Sequence, residues 1–87
     1  MWIRVKDKLI NLNHVSEIKK HFNSQKRCYE VYAIRPDGTY GPCLASNLDE
    51  ERTSALLEAI ADAIASGERF FDVDEFLALS KLQEAKK

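Results

Sequence analysis

Residues 47–67 constrain the fold more than any other stretch, because no other segment has a wide apolar helix face. Leu57, Ile60, Ala61 and Ile64 follow the i, i+3, i+4, i+7 spacing of one such face. This pattern predicts one long helix whose apolar side covers a sheet. The alternative is a helix that presents the same side to a partner protein.

Both ends of this helix carry sequence signals. Asn47 or Asp49 can cap the first turn, and Glu50 lies three residues after Asn47, as in a capping box. Ser66 and Gly67 mark the other end, because glycine adopts the left-handed conformation after a last helical turn without steric cost. We therefore expect the helix to stop at the serine–glycine pair.

Short strands are expected before the helix, because apolar and polar residues alternate there. The sequence Arg-Pro-Asp-Gly-Thr at 35–39 predicts a type I turn with a glycine bulge. Pairing Arg35 with Thr39 would place Val31 opposite Cys43 in this hairpin. The expected strands cover residues 2–6, 9–12, 16–22, 28–35 and 39–46.

The predicted fold class is α+β. We expect an antiparallel sheet of four to five short strands covered by the long helix, plus a short C-terminal helix. Residues 1–71 are expected to form a single α+β domain, since 87 residues suit one domain. Residues 72–87 are expected to form a C-terminal helical extension with a frayed tail. Whether this extension packs on its own domain or on a neighbour stays open.

Export and membrane insertion are not expected from this sequence. No apolar run reaches the roughly 20 residues of a membrane-spanning helix, and the first residues lack a signal-peptide core. Cys28 and Cys43 would lie several residues out of line in the hairpin, too far apart for a disulfide of good geometry. Reduced thiols and a cytoplasmic location are therefore expected.

Two segments resemble parts of small uncharacterised bacterial or phage-linked proteins. Residues 9–18, Leu-Ile-Asn-Leu-Asn-His-Val-Ser-Glu-Ile, resemble their strand hairpin and Asn-rich turn, and residues 67–72, Gly-Glu-Arg-Phe-Phe-Asp, resemble their ending. The resemblance covers most of the chain but rests on pattern rather than on chemical motifs. It implies a strand meander followed by one long helix, and it carries over no functional residue.

No pattern in the sequence predicts an enzyme, a metal site or a cofactor site. His14, His21, Cys28 and Cys43 lack the closely spaced pairs that are typical of structural zinc sites. Either cysteine could meet either histidine as a nucleophile–base pair only because the domain is small. The three glycines are far apart, so no phosphate-binding loop is expected.

The charge distribution makes nucleic acid one candidate partner. Residues 1–35 hold eight Lys and Arg against three Asp and Glu, whereas residues 36–87 hold five against eleven. Basic residues near tyrosines can contact phosphates and stack on bases. Against this, the overall pI is acidic and the long helix would present a negative face. The candidate basic patch consists of Lys19, Lys20, Lys26 and Arg27.

Protein–protein interaction, including self-association, is the favoured function. A small core gains from additional burial, and the segment after Gly67 carries more apolar residues than a mobile tail would. The alternative for this segment is a second helix that covers its own core. The candidate partner interface consists of Phe70, Phe71, Val73, Phe76 and Leu77.

Overall fold

The protein is described by a computed structural model that gives the backbone of residues 1–85 and the side chains of residues 1–80. A 3₁₀ helix, Leu12–His14, separates the second strand from the third. The strands and α-helices in chain order are β1 (Trp2–Val5), β2 (Lys8–Asn11), β3 (Glu17–Asn23), β4 (Cys28–Ile34), β5 (Tyr40–Leu48), α1 (Glu50–Ala65), β6 (Phe70–Asp72) and α2 (Val73–Ala85).

The strands form two sheets of three strands each. Sheet A has the order β2-β1-β6, and sheet B has the order β3-β4-β5. The α+β class is confirmed, but the expected single sheet of four to five strands under one helix is wrong. The sheets separate at the 3₁₀ helix, where the side chain of Asn11 accepts a hydrogen bond of 3.0 Å from the backbone of Asn13. This bond turns the chain out of sheet A before β3 begins.

Sheet A joins the beginning of the described chain to residues 70–72. β1 is antiparallel to β2, with Ile3 opposite Ile10, and parallel to β6, with Trp2 opposite Phe70. The sequence analysis did not predict β6. The predicted boundary between residues 71 and 72 falls inside this strand.

Sheet B carries three register shifts between β4 and β5. As a result Tyr32, and not Val31, lies opposite Cys43, so the predicted register is wrong at this point. Gly41 lies in the irregular part of β5, where an added Cβ would stand 2.7 Å from the carbonyl oxygen of Ala33. The close approach of two backbones therefore explains a glycine in this strand.

The turn between β4 and β5 is closed as the sequence predicts. The backbone N–H of Arg35 donates to the carbonyl of Thr39 at 3.0 Å, and Gly38 has a φ of +87°. The Asp37 carboxylate accepts hydrogen bonds from the backbone and the hydroxyl of Thr39 at 3.0 and 2.6 Å. Side-chain and backbone bonds thus hold the same turn.

Helix α1 begins and ends where the sequence signals lie. The carboxylate of Asp49, rather than Asn47, caps it by accepting a 2.7 Å hydrogen bond from the backbone N–H of Arg52. Gly67 has a φ of +72°, and the N–H of Glu68 donates to the carbonyl of Ala63 at 2.9 Å. Both predicted ends are confirmed.

Helix α2 packs against β1 and α1. Asp72 caps it by accepting a 3.0 Å hydrogen bond from the N–H of Glu75, and Val73 is fully buried. Asp74 accepts a hydrogen bond from the backbone of Lys6, which ties α2 to the β1–β2 turn. The predicted fraying of the tail falls partly on residues 86–87, which lie outside the described residues. The buried hydrophobic core comprises Ile3, Val5, Val31, Ala33, Leu44, Ala45, Leu48, Leu56, Ile60 and Val73.

Candidate functional site

The apolar stripe that identified α1 in the sequence is only partly directed at the core. Thr53 and Leu56 are fully buried and Ile60 is 3% exposed, so these three residues define the core-facing side. Ile64 is 54% exposed and Ala61 is also exposed. Leu57 beside them is half-buried and packs partly against the core. We call Leu57, Ala61 and Ile64 the open flank of α1.

The open flank exists because one helix is too narrow to cover sheet B. A helix is about 10 Å across and neighbouring strands are about 4.8 Å apart, so α1 covers about two strands. It packs against β4, while the residues of β3 on the same face of the sheet remain accessible. Of these, Ile18 is half-buried, and Lys20 and Phe22 are exposed.

A groove runs between the open flank of α1 and the beginning of β3. Its volume is about 830 Å³, within the range of ligand-binding clefts. Residues 15–18 face the helix across the groove, and Met1, Leu12 and residues 67–69 complete its lining. The groove is therefore concave and mainly aliphatic.

The charges along this groove are mostly negative. Among the charged side chains of its described lining residues, Glu17 and Glu68 oppose Arg69. Glu58 and Asp62 are exposed on α1, and the last turn of this helix contains no basic residue. The C-terminal end of the helix dipole is also negative. The groove thus combines an aliphatic lining with an acidic surround on the α1 side, whereas Lys20 is exposed on the same face of β3.

The residues of the predicted partner interface are divided by the structure. Phe70 is 50% exposed, whereas Val73 belongs to the buried core and Phe71, Phe76 and Leu77 are partly buried against it. The rings of Phe71 and Phe76 lie 5.9 Å apart. Four of the five candidates therefore pack on their own domain.

Phe70 shares the open face of sheet A with other exposed apolar residues. Trp2 and Leu9 are 47% and 63% exposed, and Trp2 lies opposite Phe70 across the β1–β6 pair. The Arg4 guanidinium and the Asp72 carboxylate form an ion pair of 3.5 Å on this face. Sequence reasoning missed this cluster because it depends on the unforeseen pairing of β6 with β1.

The predicted basic patch is not assembled on one surface. Lys19 and Lys20 are neighbours in β3, so their side chains point to opposite faces of sheet B. The Lys20 ammonium lies 5.5 Å from the ring centroid of Tyr29. Lys26 and Arg27 lie in the turn after β3.

A ring cluster occupies the outer face of sheet B. The Tyr32 and Tyr40 centroids are 5.1 Å apart, and the His21 ring meets them at 6.3 and 6.1 Å. The Tyr32 hydroxyl donates to Glu30 at 3.3 Å. Burial raises the pKa of Tyr32, and the nearby Cys43 and Glu30 raise it further. These rings pack against one another in edge-to-face contacts.

The two cysteines are free thiols. The Cys43 thiol donates to the carbonyl oxygen of Ala45 at 3.1 Å, and burial raises the pKa of this thiol. A raised pKa disfavours the reactive thiolate. Among the described residues, no group of three or more His, Cys, Asp or Glu side chains could hold a metal ion.

Comparisons with protein families, curated proteins and solved structures found no match. Within the part of the chain that the structure describes, no helix is long and apolar enough to cross a membrane.

Proposed function

We propose that this protein is a non-catalytic module that binds another protein through the groove between α1 and β3. The observation that supports this function is the open flank of α1. Leu57 and Ile64 belong to the strongest apolar pattern in the sequence, yet Ile64 is 54% exposed. Apolar surface of this kind, gathered in a groove, is typical of interaction sites.

The polar groups of the groove favour binding over catalysis. The Ser16 hydroxyl donates to the carbonyl oxygens of Ile34 and Arg35, at 3.1 Å each, so it is committed to the backbone. The charged side chains of the lining are two carboxylates and a guanidinium, and no nucleophilic side chain lies beside a basic one among the described lining residues. Such a lining supplies contact surface rather than a reacting group.

Nucleic acid fits this surface less well than protein. The acidic surround of the groove would repel phosphate groups, and Lys19 and Lys20 point to opposite faces of β3. A protein partner instead gains from the burial of Leu57 and Ile64.

The experiment that tests this function compares two equally exposed positions. A photo-crosslinking amino acid replaces Ile64 in one variant and Leu79 in another, since both side chains are 54% exposed. Irradiation in the native cells should give one defined adduct of higher mass at position 64. Position 79 lies on α2, away from the groove, and serves as the matched control.

The identity of the adduct decides the result. A protein trapped at position 64 but absent at position 79 supports the proposed function. No adduct at position 64, or the same products at both positions, would contradict it. A nucleic acid trapped at position 64 would contradict the proposed function, because the partner would then be a nucleic acid and not a protein.

A further inference from the structure

We infer that the partner inserts a basic amphipathic helix, about two turns of which lie in the groove alongside α1. This inference rests on the proposed function and adds the shape and charge of the occupant. Three observations support it: the length of the open flank, the spacing of the apolar residues on α1 and the charges around the groove.

The length of the open flank suits a short piece of helix. Two helical turns measure about 11 Å in length, and Leu57 and Ile64 are seven residues apart on α1, which is about the same length. The groove has a volume of about 830 Å³. Since α1 leaves the inner side of β3 accessible, a second helix beside α1 would complete the cover of sheet B.

An added strand fits this position less well than a helix. β3 is an edge strand, and Lys20 points from it toward the side covered by α1. Inward-pointing lysines on edge strands oppose pairing with a further strand. The occupant is therefore recognised through side-chain packing against α1 rather than through backbone bonds to β3.

The open flank of α1 provides regularly spaced anchors. Leu57, Ala61 and Ile64 follow i, i+4, i+7 spacing, and with 1.5 Å of rise per residue they extend over about 10 Å. The small side chain of Ala61 lets a second helix approach closely between the two larger residues. A partner helix with its own apolar residues at i, i+3 or i+4, and i+7 would interdigitate with this row.

The charges specify the polar side of the partner helix. Glu17 and Glu68 line the groove, and Arg69 has the one cationic side chain among the described lining residues. Glu58 and Asp62 are exposed on α1. Lysine or arginine residues flanking the apolar row of the partner would therefore be attracted, whereas acidic residues would be repelled.

A second copy of this chain does not offer such a helix in its described part. The sequence of α1 contains four acidic residues and one basic residue, Arg52. The first turn of α2 carries Asp74 and Glu75. Docking of either helix into the groove of another copy would bring like charges together.

Designed peptides test this inference directly. The first is a helix of about 14 residues with leucines at helix-face spacing and lysines elsewhere. The second replaces every lysine with glutamate, and the third scrambles the lysine peptide so that it has no apolar face. Fluorescence anisotropy measures binding of each peptide to the full chain. The lysine peptide should bind at least about tenfold more tightly than either of the others.

Two tryptophan variants locate the binding site. Ala61→Trp fills the groove, and Ala78→Trp adds the same ring at an exposed alanine of α2. Ala61→Trp should weaken binding of the lysine peptide by at least about tenfold, while Ala78→Trp should leave it within about twofold. Thermal unfolding of both variants confirms that each is folded before binding is compared.

The outcomes separate this inference from the proposed function. Equal binding of the scrambled and lysine peptides, or a preference for the glutamate peptide, would overturn the inference. So would a dimer of the pure protein that Ala61→Trp dissociates, since the occupant would then be a second copy. If position 64 traps a protein in cells and the lysine peptide does not bind, the proposed function stands and the helix assignment fails. Peptide binding without a trapped protein would contradict the proposed function alone.

Discussion

At the residue scale, Asp37 links the stability of a turn to pH. Its carboxylate accepts hydrogen bonds from the hydroxyl and the backbone N–H of Thr39. The hydroxyl bond is the largest cause of the lowered pKa of Asp37, followed by the backbone bond. A lowered pKa in the folded state stabilises the fold above the unfolded-state value of 3.8, and this contribution is lost as pH falls through the folded-state pKa.

We predict that Thr39→Val raises the pKa of Asp37 toward its ordinary value. The variant removes the hydroxyl donor but keeps the backbone donor and a similar side-chain shape. Carboxyl NMR titration of both proteins measures the change. The Arg35→Gln variant is the control, because the attraction of Arg35 is a smaller cause of the shift than either Thr39 bond. An unchanged Asp37 pKa in Thr39→Val would show that the Thr39 hydroxyl does not cause the lowered pKa.

Thr53 shows why the core-facing side of α1 could not be identified from residue types alone. It is polar, and the sequence analysis assigned the apolar face to Leu57, Ile60, Ala61 and Ile64 without it. In the structure Thr53 is fully buried, and its hydroxyl donates to the carbonyl of Asp49 at 2.7 Å. A local backbone bond satisfies its polarity and lets it face inward.

At the element scale, β6 gives two adjacent phenylalanines opposite environments. Successive side chains of a strand point to opposite faces, so Phe71 packs against the core while Phe70 is exposed. The sequence analysis placed both rings in one candidate partner interface, and the structure separates them. The sequence analysis did not foresee a strand, because β6 has only three residues and its partner β1 is distant in sequence.

We predict that Phe71→Ala destabilises the protein by about 2–3 kcal/mol, because it removes a ring packed on the core and on Phe76. Phe70→Ala should cost less than about 1 kcal/mol, since half of that side chain is exposed. Urea unfolding of the two variants gives the difference. An equal decrease in the free energy of unfolding for the two variants would mean that the two rings do not lie on opposite faces of β6.

The ends of α1 were predictable because each depends on a short local sequence signal. The Asp49 cap and Gly67 set the bounds of α1, because caps act within a single turn. The β5 register was not predictable in this way. Its three shifts depend on how β5 fits beside β4 and α1, and no single residue of the strand encodes that fit.

At the scale of the whole molecule, the C-terminal segment is part of one core. Val73 is fully buried among residues of both sheets and of α1, and α2 packs against β1. The single-sheet expectation failed because local patterns predict strands but not their partners. The groove could not be foreseen for the same reason, since it depends on which strands α1 leaves uncovered.

We predict that a chain ending at Glu68 loses cooperative unfolding. The truncation removes β6 and Val73, and it uncovers the side of β1 that packs against α2. Circular dichroism during urea titration measures the transition, with the full chain as the reference. A sharp transition at an unchanged midpoint would indicate that residues 1–68 fold without the rest.

The pairing of β1 with β6 also sets the order of events during synthesis. Trp2 and Phe70 are neighbours in the finished sheet but lie far apart along the chain, which raises the contact order and slows folding. A ribosome releases β1 before β6, so sheet A stays incomplete until β6 has emerged. The β3–β4 hairpin is built from contacts that are close in sequence, so it has time to form first. Emergence of β6 is therefore the step that completes sheet A.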